Sequence, residues 1–115
     1  MNSKTPKTVK VDIYDIDEAQ VKDYMADREL CAREATIVME RYCKAVKRET
    51  IDAELGEAIV GYYKTGEVLM SVQLDPFETP VMKMAFERGN LESYILAANG
   101  FTEENAEVLR KERLD

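Results

Sequence analysis

The hydrophobic spacing of this chain changes once within residues 7–55, a long segment that contains neither glycine nor proline. Val9, Val11 and Ile13 alternate with charged residues, as one face of a short strand does. From residue 21 onward the apolar side chains recur every three or four positions, which is the period of a helix, and only Arg28 interrupts the repeat. Its members are Val21, Met25, Ala32, Ala35, Met39, Tyr42 and Val46. We therefore expect a strand that continues into helix.

The sequence leaves open whether residues 17–48 form one helix or two. Carboxylates at Asp15 and Glu18 favour a helix start, because the amide-rich N-terminal end of a helix attracts negative charge. We favour a first helix over residues 17–28 followed by a second one, since uninterrupted helices of about thirty residues are uncommon in small domains. Residues 28–32 contain no Gly, Pro, Ser or Asn to separate the two. One long helix is therefore the alternative.

Beyond residue 50, turn and capping residues divide the chain into short elements. The sharpest boundary is Thr79 followed by Pro80, because the hydroxyl can cap a helix and proline fits its first position without losing a needed hydrogen bond. The predicted elements are helices from Thr50 to Gly66, Thr79 to Gly89, Asn90 to Ala98 and Thr102 to Arg113, and a strand from Val68 to Leu74. The fold class is thus mainly α with one or two short strands (α+β). Whether the strands at 8–14 and 68–74 pair is open.

Charge is unevenly distributed along the 115 residues, whose net charge is −7. Residues 1–50 hold ten basic and ten acidic side chains, whereas residues 51–115 hold six and thirteen. A chain of this length is expected to form one domain. Within it, we interpret residues 1–50 as a strand-helix-helix unit with a basic N-terminal arm, and residues 51–115 as an acidic helical region packed on it. The acidic excess argues against non-specific affinity for nucleic acid.

Residue patterns for catalysis are missing from the sequence. The chain has no histidine, the usual base beside a nucleophile, and its serines lie in no recognisable nucleophile turn. Cys31 and Cys43 are too far apart for a zinc or redox pair and are expected to be buried thiols. We expect no enzyme activity, no cofactor, no metal site and no small-molecule substrate. No apolar run is long enough to cross a membrane, and the polar start lacks a secretory signal, so a cytoplasmic location is expected.

Residues 9–42 match one known arrangement of a strand and two helices. Val21, Tyr24 and Met25 match the buried face of its first helix, Leu30 matches the apolar residue in its turn, and Glu34, Ala35 and Met39 match its second helix. The segment resembles the ribbon-helix-helix family of transcriptional regulators and antitoxins. That resemblance implies a homodimer whose paired N-terminal strands enter the DNA major groove. It also implies an N-terminal ribbon-helix-helix-like unit followed by a helical C-terminal half.

The resemblance also assigns roles to residues of the basic arm and the first strand. Lys4 and Lys7 would contact phosphates, while Thr8, Lys10 and Tyr14 would project from the strand toward the DNA. On this interpretation the protein is a dimeric DNA-binding regulator or an antitoxin-like protein that uses an N-terminal β-ribbon. Its partner is then DNA, and the acidic second half supports the dimer or binds a basic protein.

An alternative function follows from the acidic second half. A small acidic protein of a phage or mobile element could inhibit a host nucleic-acid-binding enzyme by direct protein–protein binding, as anti-CRISPR proteins do, because its charge would complement a phosphate-binding surface. Residues 64–96 resemble small proteins of phages and mobile elements. Three carboxylates, Glu103, Glu104 and Glu107, are the candidate partner-binding residues.

Overall fold

The structure is a computed structural model that describes residues 18–52 and 56–114. Its elements are α1 (Glu18–Met39), β1 (Ala45–Asp52), β2 (Gly56–Tyr62), β3 (Val68–Gln73), α2 (Glu78–Glu87), α3 (Leu91–Ala98) and α4 (Glu103–Leu114). The strands form one antiparallel sheet in the order β1-β2-β3. Strand β1 crosses residue 50, so the two regions distinguished by charge share this sheet.

A single hydrophobic core joins all four helices to one face of the sheet. Ile59 of β2 pairs with Val72 of β3, and Gly61 pairs with Met70, so these four residues point to the same face. The core residues from the helices and the segment after α1 are Cys31, Ala32, Ala35, Val38, Met39, Tyr42, Cys43, Met82, Leu91, Ile95, Leu96, Ala106 and Leu109. The same core therefore fixes the positions of β2, β3 and the three helices that follow them.

The ribbon-helix-helix layout is wrong, because α1 is one helix. It continues through residues 28–32, where we expected a break, and ends at Met39, after which the next element is strand β1 rather than a second helix. Residues on both sides of that point are tied to the rest of the fold. The Tyr24 hydroxyl donates to the carbonyl oxygen of Leu74 (2.8 Å), and Cys31 lies in the core. A sequence without capping residues that is held by the rest of the fold on both sides of residues 28–32 has no physical reason to break there.

The predicted helix from Thr50 to Gly66 is also wrong, so the helical C-terminal half is overturned by an antiparallel sheet. The helical spacing of Ile51 and Ile59 does not place them on one face, since Ile51 is exposed and Ile59 is buried. Strands β1 and β2 are instead rich in β-branched side chains, which pack well on a pleated surface. Gly66 ends no helix; it has a φ of +93° in the turn between β2 and β3.

From residue 68 onward the elements lie where the sequence predicts them. The predicted strand at 68–74 is β3, and the three helices after it are α2, α3 and α4. Strand β3 pairs with β2. The predicted strand at 8–14 lies outside the described residues.

The outer edge of β3 is closed by two side chains rather than by another strand. The Oδ1 atom of Asn99 accepts a hydrogen bond from the Ser71 N–H (3.0 Å), and its Nδ2 donates to the Ser71 carbonyl oxygen (3.0 Å) and the Ile95 carbonyl oxygen (2.9 Å). The Gln73 N–H donates to the Glu78 carboxylate (3.1 Å). Burial raises the pKa of that carboxyl. These contacts use backbone groups that would otherwise recruit a further strand.

Helix α2 is capped by Asp75, so the predicted cap at Thr79 is wrong. The Asp75 Oδ1 atom accepts the N–H groups of Phe77 (2.8 Å) and Glu78 (2.6 Å). The Thr79 side chain is fully buried instead. Within the described part of the chain its Oγ1 has no hydrogen-bond partner. A buried hydroxyl in that state lowers stability.

We expect Thr79→Val to raise the free energy of unfolding by about 1 kcal/mol, because valine keeps the shape and removes the unsatisfied hydroxyl. Urea denaturation of the two proteins measures the difference. Thr79→Ser is the control: it keeps the hydroxyl, loses the methyl group and should be less stable than the wild type. A valine variant no more stable than the wild type would contradict this account of Oγ1.

Candidate functional site: a groove beside α4 and an apolar face on α2

The residues predicted to bind partners fall in two parts of the chain. Those predicted to contact DNA lie outside the described residues: Lys4, Lys7, Thr8, Lys10 and Tyr14. The three predicted carboxylates lie on α4, where all are exposed. Glu103 and Glu104 occupy the first turn, and Glu107 accepts a hydrogen bond from Arg110 Nη1 (2.7 Å). Helix α4 thus presents two carboxylates at its N-terminal end and a third that is paired with its own arginine.

The two thiols are chemically inert. Cys31 and Cys43 are both buried and free, as the sequence predicts. Burial raises the pKa of each thiol to about 11, so the reactive thiolate is scarce at neutral pH. Over residues 18–52 and 56–114, no group of three metal-ligating side chains comes together.

A groove of about 500 Å³ lies between α4, the segment after α1 and the turn that joins β2 to β3. We call it the α4 groove. Its lining residues are Tyr42, Lys44, Tyr63, Lys64, Thr65, Glu67, Leu69, Leu109, Glu112 and Arg113. The buried and half-buried members at its floor include Tyr42, Leu69 and Leu109, whereas its exposed members are mostly charged. The groove therefore has an apolar floor and a rim with charges of both signs.

An ordered network behind the groove holds α4 in place. The Tyr42 hydroxyl donates to the Glu92 carboxylate and accepts from Arg110 Nη2 (2.9 Å). The Arg110 guanidinium also lies over the Tyr42 ring, 5.3 Å from its centroid. Burial, followed by the hydrogen bond to Glu92, raises the pKa of Tyr42. Arg113 Nε donates to the Cys43 carbonyl oxygen (3.0 Å), which fixes the last turns of the α4 wall.

A second charged cluster is a structural tie between α1 and the sheet. The Arg48 guanidinium donates to both oxygens of Glu29 (2.9 and 2.6 Å) and to both oxygens of Glu57 (3.2 and 2.8 Å). Hydrogen bonds from Arg48 lower the pKa of both carboxyl groups. Arg48 thus links a carboxylate of α1 to a carboxylate of the sheet.

The outer side of α2 exposes apolar residues to solvent. Phe77 is 80% exposed, Val81 46% and Met84 48%. With Arg88 they lie at a spacing of i, i+4, i+7 and i+11, and we call these four residues the α2 face. A shallow groove of about 360 Å³ runs beside the face toward α3; it is lined by Val81, Met84, Ala85, Arg88, Asn90, Ser93 and Tyr94. The helical spacing of Met84 with other apolar residues predicts a core position for it, which is wrong, because α2 is apolar on two opposite sides.

Comparison with known proteins gives no relative for this chain: no family model matches, no curated protein matches and no solved structure matches. Among the residues that the structure describes, no helix is both long enough and apolar enough to cross a membrane. Function is therefore inferred from the α4 groove and the α2 face themselves.

Proposed function

We propose that this chain is a non-catalytic binding protein, and that its α4 groove receives an apolar side chain of a partner protein. The observation that carries the proposal is the composition of the groove, in which Tyr42, Leu69 and Leu109 lie beneath a charged rim. Interfaces between proteins have this layout, with an apolar centre that excludes water and a polar surround. A single well-packed side chain in such a pocket can supply much of the binding energy.

The network around Tyr42 supports binding by a preformed site. Arg110 joins α4 to Tyr42 in the segment after α1 and to Glu92 in α3, and Arg113 donates to the backbone at Cys43. A wall that is already ordered loses little conformational freedom when the partner arrives, which favours affinity. The hydroxyl of Tyr42 is itself occupied by Glu92 and Arg110, so the groove offers shape and apolar surface rather than a reactive group.

The overall charge of the chain, rather than the mixed-charge rim of the groove, favours a basic partner. The chain carries a net charge of −7, and Glu103 and Glu104 are exposed at the N-terminal end of the helix that walls the groove. Attraction between opposite net charges accelerates association and selects partners with positive surfaces. Enzymes that bind nucleic acid have such surfaces, and a protein that covers one would act as an inhibitor. The regulator hypothesis depends on a ribbon-helix-helix unit, so we do not retain it.

The test is retention of host proteins on the immobilised full chain, before and after nuclease treatment of the lysate. We expect one protein to be retained in both samples and Tyr63→Ser, which removes an exposed aromatic wall of the groove, to weaken its binding about tenfold or more. Neutralising Glu103 and Glu104 should slow association at low salt. The control is Met25→Ser, an exposed apolar residue of α1 that does not line the groove.

Two results would count against the proposal. Retention that disappears after nuclease treatment would identify nucleic acid as the partner. Equal affinities of the wild type, Tyr63→Ser and Met25→Ser for the purified partner would show that the groove is not the binding surface. Titration calorimetry with that partner gives the affinities.

A further inference from the structure

Helix α2 has apolar residues on opposite sides, which is unusual for a helix at the surface of a small protein. Thr79 and Met82 face the core, while Phe77, Val81 and Met84 face solvent. A surface helix normally carries polar residues opposite its buried side. An apolar outer side of this kind marks a surface that another protein covers.

The two ends of the α2 face differ in shape. At the N-terminal end, the Phe77 ring projects into solvent. At the C-terminal end lies the shallow groove, where Met84, Arg88 and Tyr94 contribute to the lining. Phe77 and Arg88 are eleven residues apart, which is about 16 Å along a helix. One chain thus presents both a projecting aromatic ring and a groove of about 360 Å³.

We propose that two copies of this chain pair through the α2 face, with their α2 helices antiparallel about a two-fold axis. In that arrangement residues at equal distances from the middle of the face meet, so Val81 of one copy lies against Met84 of the other. Phe77 of each copy then enters the groove of the other copy beside Arg88. Each copy gives and receives the same contact, as a two-fold interface requires.

Charge at the two ends of the face fits this orientation. Arg88 lies at the C-terminal end of α2, and Asp75 precedes the N-terminal end. The antiparallel arrangement brings Arg88 of one copy over the Phe77 ring of the other and toward its Asp75 carboxylate, where cation–π and ionic attraction both act. A parallel pair would place two Arg88 side chains together instead. The charges at the two ends of the face therefore favour the antiparallel over the parallel orientation.

The interface is small, because α2 has only ten residues. Interfaces at the lower end of the specific size range are weak, so we expect a dissociation constant of about 1–100 µM. The dimer leaves the α4 groove untouched, so this inference does not depend on the proposed function.

Sedimentation of the full chain over a concentration range from below 1 µM to several hundred micromolar tests the dimer. We expect the wild type to dimerise, Phe77→Ser to weaken dimerisation about tenfold or more, and Arg88→Ala to weaken it less. Val108→Ser is the control, because Val108 is an exposed apolar residue of α4 outside the face. A wild type that is monomeric throughout the range, or a Phe77→Ser variant as dimeric as the wild type, would overturn the proposal.

Cross-linking tests the orientation separately. Variants Val81→Cys and Met84→Cys are mixed with oxidised glutathione, and the disulfide-linked products are weighed by mass spectrometry. The native Cys31 and Cys43 are buried and do not compete. Random pairing of equal amounts of the two variants would make the mixed dimer half of the product, so we expect the mixed dimer, which links Cys at 81 to Cys at 84, to exceed the two single-variant dimers combined. A mixed dimer at or below half of the product would contradict the antiparallel arrangement.

Discussion

Gly61→Ala is expected to lower the free energy of unfolding by about 2–3 kcal/mol and the melting temperature by roughly 10 °C. A Cβ atom added at Gly61 would lie 2.3 Å from Cys43 Sγ, 3.2 Å from Cys43 Cβ and 3.2 Å from Met39 Cε. The first distance is far inside van der Waals contact, so the packing of the segment after α1 against β2 must open. The backbone is not the cause, because Gly61 is not among the glycines with positive φ.

Cys43→Ala supplies the matched background for this experiment. Removing Sγ takes away the atom that the new Cβ would meet, while the end of Met39 can move aside. We expect Gly61→Ala to cost less than about 1 kcal/mol in the Cys43→Ala protein, which corresponds to a coupling energy of about 2 kcal/mol in a double-mutant cycle. Chemical denaturation of all four proteins gives the cycle. Equal costs in both backgrounds would contradict the assigned contact.

Asn99→Ala is expected to lower the free energy of unfolding by about 2 kcal/mol. The variant loses three hydrogen bonds at once, two to Ser71 and one to the Ile95 carbonyl oxygen. The half-buried Ser71 backbone groups then lose their partners, which costs more than the loss of an exposed bond. The opened edge of β3 should also make the protein associate at high concentration, since unpaired strand edges recruit other strands.

Denaturation and light scattering measure the two effects. Asn99→Asp is a second variant that keeps an acceptor for the Ser71 N–H and loses both amide donors, so it should remain destabilised. Asn90→Ala is the control, because the Asn90 side chain makes no capping hydrogen bond, and we expect it to change stability by less than about 0.5 kcal/mol. A stable, non-associating Asn99→Ala protein would show that the amide does not protect the edge.

The elements that could be predicted from the sequence are those with proline or glycine near their ends. Pro76, Pro80, Gly89 and Gly100 delimit the elements after β2, and the alternation from Val68 identifies β3. Strand β1 was missed because Val46 fits the helical repeat that starts at Val21, and β2 because Ile51 and Ile59 also fit a helical period. The spacing of apolar residues cannot distinguish a strand from a helix when the strand is stabilised by pairing with another strand, as β1 is by its pairing with β2.

The unbroken α1 was missed for a related reason. The expected break depended on typical helix lengths, whereas the helix is held on both sides by distant partners. Tyr24 bonds to Leu74, which is fifty residues away, and Arg48 bridges Glu29 to Glu57. Such contacts can only be seen once the chain is folded.

The two candidate surfaces differ in whether the sequence alone could have identified them. The α4 groove is lined by Tyr63 and Lys64 together with Leu109 and Arg113, which are more than forty residues away in the sequence. No local sequence pattern therefore identifies the groove. The α2 face could have been found, because Phe77, Val81 and Met84 follow one helical period. Spacing alone does not identify it as a surface, since a period shows which residues share a side of a helix but not which side is buried.

The buried thiols of Cys31 and Cys43 can report how often the core of the folded protein opens. Both sulfur atoms are enclosed between α1 and the rest of the core, so a thiol reagent reaches them only in molecules where that packing has come apart. The rate at which the reagent labels the unmodified protein therefore reports the fraction of molecules that are open, and the measurement needs no denaturant.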